Sequence, residues 1–305
     1  MFPRPIPLAA LLVTLLASAP AFAGTPINET RPLPAGGEVS IENLKGEVVV
    51  RAWDRPEVRI TGTLGEGVEK FTIDADGDEL DIKVKYPSNN GGWFGGGDRS
   101  EPTLLEISVP ASASVSVDTV SAGVDVTGVR GPRLAVDSVS GDVRVRGARV
   151  GEARFDNVSG SVDAEVESDD IGVDSVSGDI RVAGRLGGRV RIDTVSGDAD
   201  LELGPVGSLT LSSVSGDLGV AAGLAPGGSL RADSVSGGIR VALPAEASAR
   251  IEVETFSGGI SSPVGEVKTE KYGPGKSLQA RLGQGDGLVK LESFSGNVRI
   301  SVGGK

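Results

Sequence analysis

One short phrase, x-V-S-G-x-V or a close variant, occurs ten times in this chain at nearly constant spacing. A fixed period of about twenty residues dictates a stack of similar units rather than a conventional globular core. The glycine of the phrase is Gly46, Gly141, Gly160, Gly178, Gly197, Gly216, Gly237, Gly258 or Gly296, with Ala122 filling the same slot. From Ala122 the steps are 19, 19, 18, 19, 19, 21, 21 and 38 residues, and Gly46 lies 76 before Ala122. The two long gaps are therefore two and four times 19.

Aligned on that glycine, the copies resolve into columns. Seven and five residues before it the chain is apolar, as in Leu134 with Val136, Val190 with Ile192 and Val289 with Leu291. Two and four residues after it the chain is apolar again, as in Val143 with Val145 and Ile180 with Val182. Both pairs alternate with polar neighbours, the period-two signature of strands with one buried face. A further apolar column stands two before the glycine: Leu44, then seven valines from Val120 to Val235, then Phe256 and Phe294. Between the fifth and second positions the parity changes, so the backbone must turn a corner there.

Each repeat is thus two short strands joined at a corner, with a more variable third side, for example Gly147 to Glu152. No single rung buries its apolar residues, whereas a stack encloses a continuous interior. Regular glycines and β-branched residues disfavour helix throughout. The reading is an all-β, single-stranded parallel β-helix, or β-solenoid, with about 19 residues per rung. Parallel connections favour a right-handed coil.

Two columns bear on register. Three residues after the glycine slot the chain reads Asp125, Arg144, Asp163, Arg181 and Asp200, alternating in sign. Parallel stacking at about 4.8 Å places each arginine between two aspartates. Three before the glycine stands always a hydroxyl or an amide, from Asn43 and Thr119 to Thr255 and Ser293, which suits a ladder of hydrogen bonds at the corner.

Residues 1–23 read as a signal peptide: Arg4, an apolar stretch from Leu8 to Ala17, then Ala21-Phe22-Ala23 as a cleavage signal. The apolar stretch is too short for a permanent span, and no later segment is apolar enough for one. No cysteine follows it to carry a lipid anchor. Export to the periplasm, the cell surface or the medium is expected. Residues 24–38 form a lead-in, and the solenoid occupies 39–305. Within it, 47–114 is a stretch of degenerate rungs interrupted by a loop over 86–102. Regular rungs span 115–262, an insertion 263–288 and the last rung 289–302. Val109-Pro110 and Leu243-Pro244 each precede an Ala/Ser-rich linker and a fresh copy of the phrase, which suggests two related blocks.

Composition excludes several functions. Without Arg4 the chain carries 29 basic and 42 acidic residues, a net charge of −13. Such a balance is unsuited to nucleic acid or anionic lipid. The chain has no cysteine and no histidine. The serine column, from Ser121 to Ser295, therefore has no histidine base and reads as turn chemistry.

The column four before the glycine is the most unusual electrostatic feature. It contains Glu42, Asp118, Asp137, Asp156, Asp174, Asp193, Ser212, Asp233, Glu254 and Glu292. Carboxylates about 4.8 Å apart repel by roughly 0.9 kcal/mol per pair even in water. Two arrangements offset that. The six aspartates of the column, Asp118, Asp137, Asp156, Asp174, Asp193 and Asp233, form a strip for Ca²⁺, which takes six to eight oxygens. Alternatively each caps backbone N–H groups at the corner. No other cofactor is indicated. Trp93 and Phe94, in a glycine-rich loop, are the candidates for ligand binding, since adjacent aromatics anchor interfaces and stack on sugars.

The serial V-S-G-D-V/I phrases, the V-P and L-P lead-ins and the leader resemble the bacterial putative-adhesin family of β-strand repeats, over roughly Val39 to Val302. The resemblance implies a β-helix of the pectate-lyase-like kind and carries no catalytic residues. The expected function is a non-enzymatic, adhesin-like surface or periplasmic binding scaffold whose partner is a protein or glycan at the cell surface. The alternatives are a polysaccharide-acting β-helix enzyme and a purely structural envelope or stress-linked module. For the first of these, acidic residues recurring on every rung single out no catalytic pair.

Overall fold

The computed structural model describes residues 24–87 and 100–303. Among them there is no helix, so none long and apolar enough to cross a membrane. The chain forms strands from Thr25–Pro32 to Val298–Val302, all hydrogen-bonded into one continuous sheet. The architecture is the expected all-β stack of parallel rungs.

Register follows the columns. Val124 pairs with Val143, Val143 with Val162, Val162 with Ile180 and Ile180 with Ala199. Before the corner, Val136 pairs with Phe155, Phe155 with Val173 and Val173 with Ile192. These side chains are 0–2% exposed and belong to one apolar core that runs from Ile27 to Ile300. The alternating charges also stack in register, Asp125 with Arg144 with Asp163 with Arg181 with Asp200. Their ion pairs run differently from the expected ladder. Arg144 reaches Asp142 on its own rung at 3.2 Å, and Asp163 is taken by Arg146 at 2.7 Å.

Both ends of the stack depart from sequence order. The 76-residue gap before Ala122 predicts further rungs, yet Gly46 pairs directly with Ala122. Residues between them make one more rung outside Glu38–Trp53, from Glu79–Lys85 and Thr103–Pro110. The rest folds as antiparallel strands: Glu57–Leu64 on Thr103–Pro110, Thr25–Pro32 on Glu57–Leu64, and Lys70–Asp76 on Glu79–Lys85. Phe71-Thr72-Ile73 therefore alternates as an edge strand and not as a rung.

At the other end the last rung in sequence is not the last in space. Gly287–Ser293 lies between Leu218–Ser234 and Ala249–Thr255, parallel to both. The insertion then closes the stack: Lys276–Leu282 runs antiparallel along Ala249–Thr255, with Glu266–Thr269 outside it. Antiparallel strands at each end replace the bare parallel edges that invite pairing with other chains.

Candidate functional site: an apolar groove beside a carboxylate ladder

The corner is built by the residue three before the glycine. Its side chain turns inward and, on most rungs, accepts a hydrogen bond from the glycine N–H: Ser138 from Gly141 at 3.1 Å, Asn157 from Gly160 at 3.1 Å, Ser213 from Gly216 at 2.8 Å. The whole column is buried. The serine next to the glycine donates its hydroxyl to the neighbouring rung, as Ser159 Oγ does to the Val139 carbonyl at 3.2 Å. Those serines are turn chemistry. The residue after the glycine closes a further ladder, with Asp198 accepting from the Asp217 N–H at 2.9 Å and Asp217 from the Gly238 N–H at 2.8 Å.

With the third position turned inward, both its neighbours face outward. Leu44, the seven valines of that column, Phe256 and Phe294 are all 43–57% exposed, forming an apolar row on the outside of the stack. The sequence pattern shows this column as apolar without revealing that it faces solvent. From Val139 to Phe294 this row lines a groove of about 1390 Å³, with the valines on one wall and the carboxylates from Asp118 onward on the other. Phe256 and Phe294 stack at 4.8 Å between ring centroids, nearly parallel. Glu270, Gly275, Lys276 and Ser277 of the closing hairpin border the groove at that end.

The carboxylates are unevenly compensated. Glu42 meets Lys83 at 2.9 Å, Asp193 meets Arg191 at 2.6 Å, Asp233 meets Arg231 at 2.9 Å and Glu292 meets Lys290 at 2.6 Å. No ion pair is formed by Asp118, Asp137, Asp156 or Asp174 among the described residues, although they occupy four successive rungs. Burial first, then repulsion from Glu42, pushes the Asp118 carboxyl up from its ordinary range. Asp156 is raised by burial and by its hydrogen bond to and repulsion from Asp137, and Asp174 by burial and repulsion from Asp156 and Asp193. Glu292 is lowered by its hydrogen bond to Lys290.

The six sequence-selected aspartates thus share one wall. Corner capping falls instead to the third-position hydroxyls and amides, whose side chains point inward. The calcium reading asks for oxygens converging on a point. The ladder strings them along a line, and among the described residues no group of three or more carboxylates is arranged to hold a metal ion. Trp93 and Phe94 lie outside the described residues.

Residues 37–301 match the family model described as Toastrack DUF4097. Among solved structures, the chain is similar to a protein of Parabacteroides distasonis named "putative lipid binding protein", at 14% identity and a TM-score of 0.52, over 91% of this chain and 97% of that one. A second protein of that organism, named "putative adhesin", matches at 14% identity and a TM-score of 0.51, over 92% and 98%. A "putative adhesin" of Parabacteroides merdae matches at 12% identity and 0.51, over 91% and 97%. At such identities the likeness is one of fold. No curated protein matches the chain.

Proposed function

The chain belongs to the Toastrack DUF4097 family, and on that premise we propose that it is an exported, non-enzymatic binding scaffold that takes its ligand along the corner groove. The carrying observation is the exposed apolar row from Leu44 to Phe294. Ten large apolar side chains kept outside by the same corner form a contiguous patch, and such patches mark interaction sites on soluble proteins. A rigid stack supports this role, because the groove is preformed and its binding requires little ordering of the protein. The coil is read as right-handed and pectate-lyase-like, with about 19 residues per rung. The names "adhesin" and "lipid binding protein" carried by the similar structures agree with a surface that contacts other molecules. The acidic residues recur by column and single out no catalytic pair.

Nile red, a neutral dye that brightens in apolar surroundings, tests the groove. Titrated onto the protein lacking residues 1–23, it should brighten. The response should vanish in Val139→Asp/Val158→Asp/Val176→Asp and persist in Ala221→Asp, an exposed position on another side of the rung. A response indifferent to the triple substitution contradicts a groove site.

A further inference from the structure

The groove has two unlike walls and one unlike half. Asp118, Asp137, Asp156 and Asp174 of the carboxylate wall form no ion pair among the described residues, and the facing wall is Val139, Val158 and Val176. In the other half Asp193, Asp233 and Glu292 are paired with Arg191, Arg231 and Lys290. In the unpaired half Thr119, 7% exposed, lines the groove, and its hydroxyl oxygen has no partner among the described residues. The uncompensated half therefore offers a row of negative charge at one-rung intervals beside a row of methyl groups, with the unpartnered Thr119 hydroxyl at one end.

We propose that this half of the groove binds a linear oligoamine, a chain of ammonium groups separated by short methylene spacers, lying along the stack axis. This rests on the reading of the groove as the ligand site and names the class of ligand. The spacing decides among cations. Adjacent rungs are about 4.8 Å apart. Ammonium groups three or four methylenes apart repeat at about 5–6 Å, close to one rung, so successive charges meet successive aspartates while the methylenes lie on the valines. Same-face side chains of an extended peptide repeat at about 6.8 Å, between one rung and two, and fall out of register within a few residues. A divalent metal needs converging oxygens that the line does not provide. Each ammonium placed between two carboxylates also opposes the repulsion between neighbouring aspartates that, after burial, raises Asp156 and Asp174.

The test is calorimetric titration of the protein lacking residues 1–23 with spermine, with Mg²⁺ as a counter-ion control. Spermine should bind at least tenfold more tightly than Mg²⁺. Asp137→Asn/Asp156→Asn should weaken it at least tenfold, whereas Asp125→Asn/Asp200→Asn, the same charge change on another face, should leave it within twofold. Circular dichroism verifies that both variants remain folded. Spermine binding no tighter than Mg²⁺, or indifferent to Asp137→Asn/Asp156→Asn, overturns the proposal. If Nile red still binds in a valine-dependent way, that result removes the oligoamine alone; if the dye fails as well, the groove itself is the wrong site.

Discussion

A Cβ placed on Gly178 would lie 1.9 Å from the carbonyl oxygen of Gly160 on the adjacent rung. The same contact recurs along the stack at 1.8–2.1 Å, Gly197 on Gly178, Gly216 on Gly197, Gly237 on Gly216, Gly296 on Gly237 and Gly258 on Gly296. From Gly141 to Gly296 the phrase glycine is therefore required by proximity of backbones at the corner and not by a left-handed φ, whereas Gly46 has a φ of 115°. Ala122 is tolerated where Ser114–Thr127 runs through the corner as one extended strand. The chain of contacts also traces the true rung order, with Gly296 between Gly237 and Gly258.

Gly178→Ala should cost about 1–3 kcal/mol, the scale of overpacking in a close-packed interior. Urea denaturation should show a lowered midpoint with an unchanged slope. An unchanged midpoint would mean that the corners stack more loosely than described.

The corner hydroxyls give a paired prediction. Ser213→Ala strips the buried Gly216 N–H of its partner and should destabilise by about 1–3 kcal/mol. Thr194, equally buried, has a hydroxyl with no partner among the described residues, so Thr194→Val should be near neutral. Equal losses in the two variants would contradict the assigned caps.

The carboxylate ladder predicts a pH dependence of definite sign. Folding raises Asp118, Asp156 and Asp174 above the ordinary aspartate value of 3.8. Between 3.8 and the raised values the folded chain holds more protons than the unfolded one, so their contribution falls as pH rises through that window and is unfavourable at neutral pH. Asp118→Asn/Asp156→Asn/Asp174→Asn should be more stable than the parent at pH 7, by about 0.2–1 kcal/mol per relieved pair on the scale of directly opposed like charges. The advantage should shrink as pH falls towards 3.8. Thermal unfolding across that range checks both sign and window. Glu292, lowered by Lys290, acts in the opposite sense, and its contribution is lost as pH falls.

Removing residues 287–305 deletes the rung that separates Leu218–Ser234 from Ala249–Thr255. The truncated chain should lose β-structure and self-associate through the uncovered edge of Leu218–Ser234. Circular dichroism and light scattering on a sizing column read both effects. A monomer with undiminished β signal per residue would contradict the interleaved order.

The rungs were legible because each column repeats one physical demand: Val136 and Val145 face the core, Ser138 caps, Gly141 yields to its neighbour. Two features were not legible. The apolar character of Val139 signals burial as readily as exposure, and only the inward turn of Ser138 decides between them. The order of rungs at each end was hidden because Gly46 and Ala122 are 76 residues apart and yet paired, and a multiple of the period looks the same whether the intervening chain forms rungs or antiparallel strands. The ladder was visible as a column, but its uncompensated half depends on where Arg191, Arg231 and Lys290 reach in space.

The most direct test of the account is the reactivity of a cysteine at Val158, which would be the sole thiol in the chain. In native buffer Val158→Cys should react readily with a maleimide, Val145→Cys in the core should react only after unfolding, and saturating Nile red should slow the first reaction severalfold. A native Val158→Cys that is as inert as Val145→Cys, or one that the bound dye does not protect, would contradict an outward-facing apolar groove that takes up ligand.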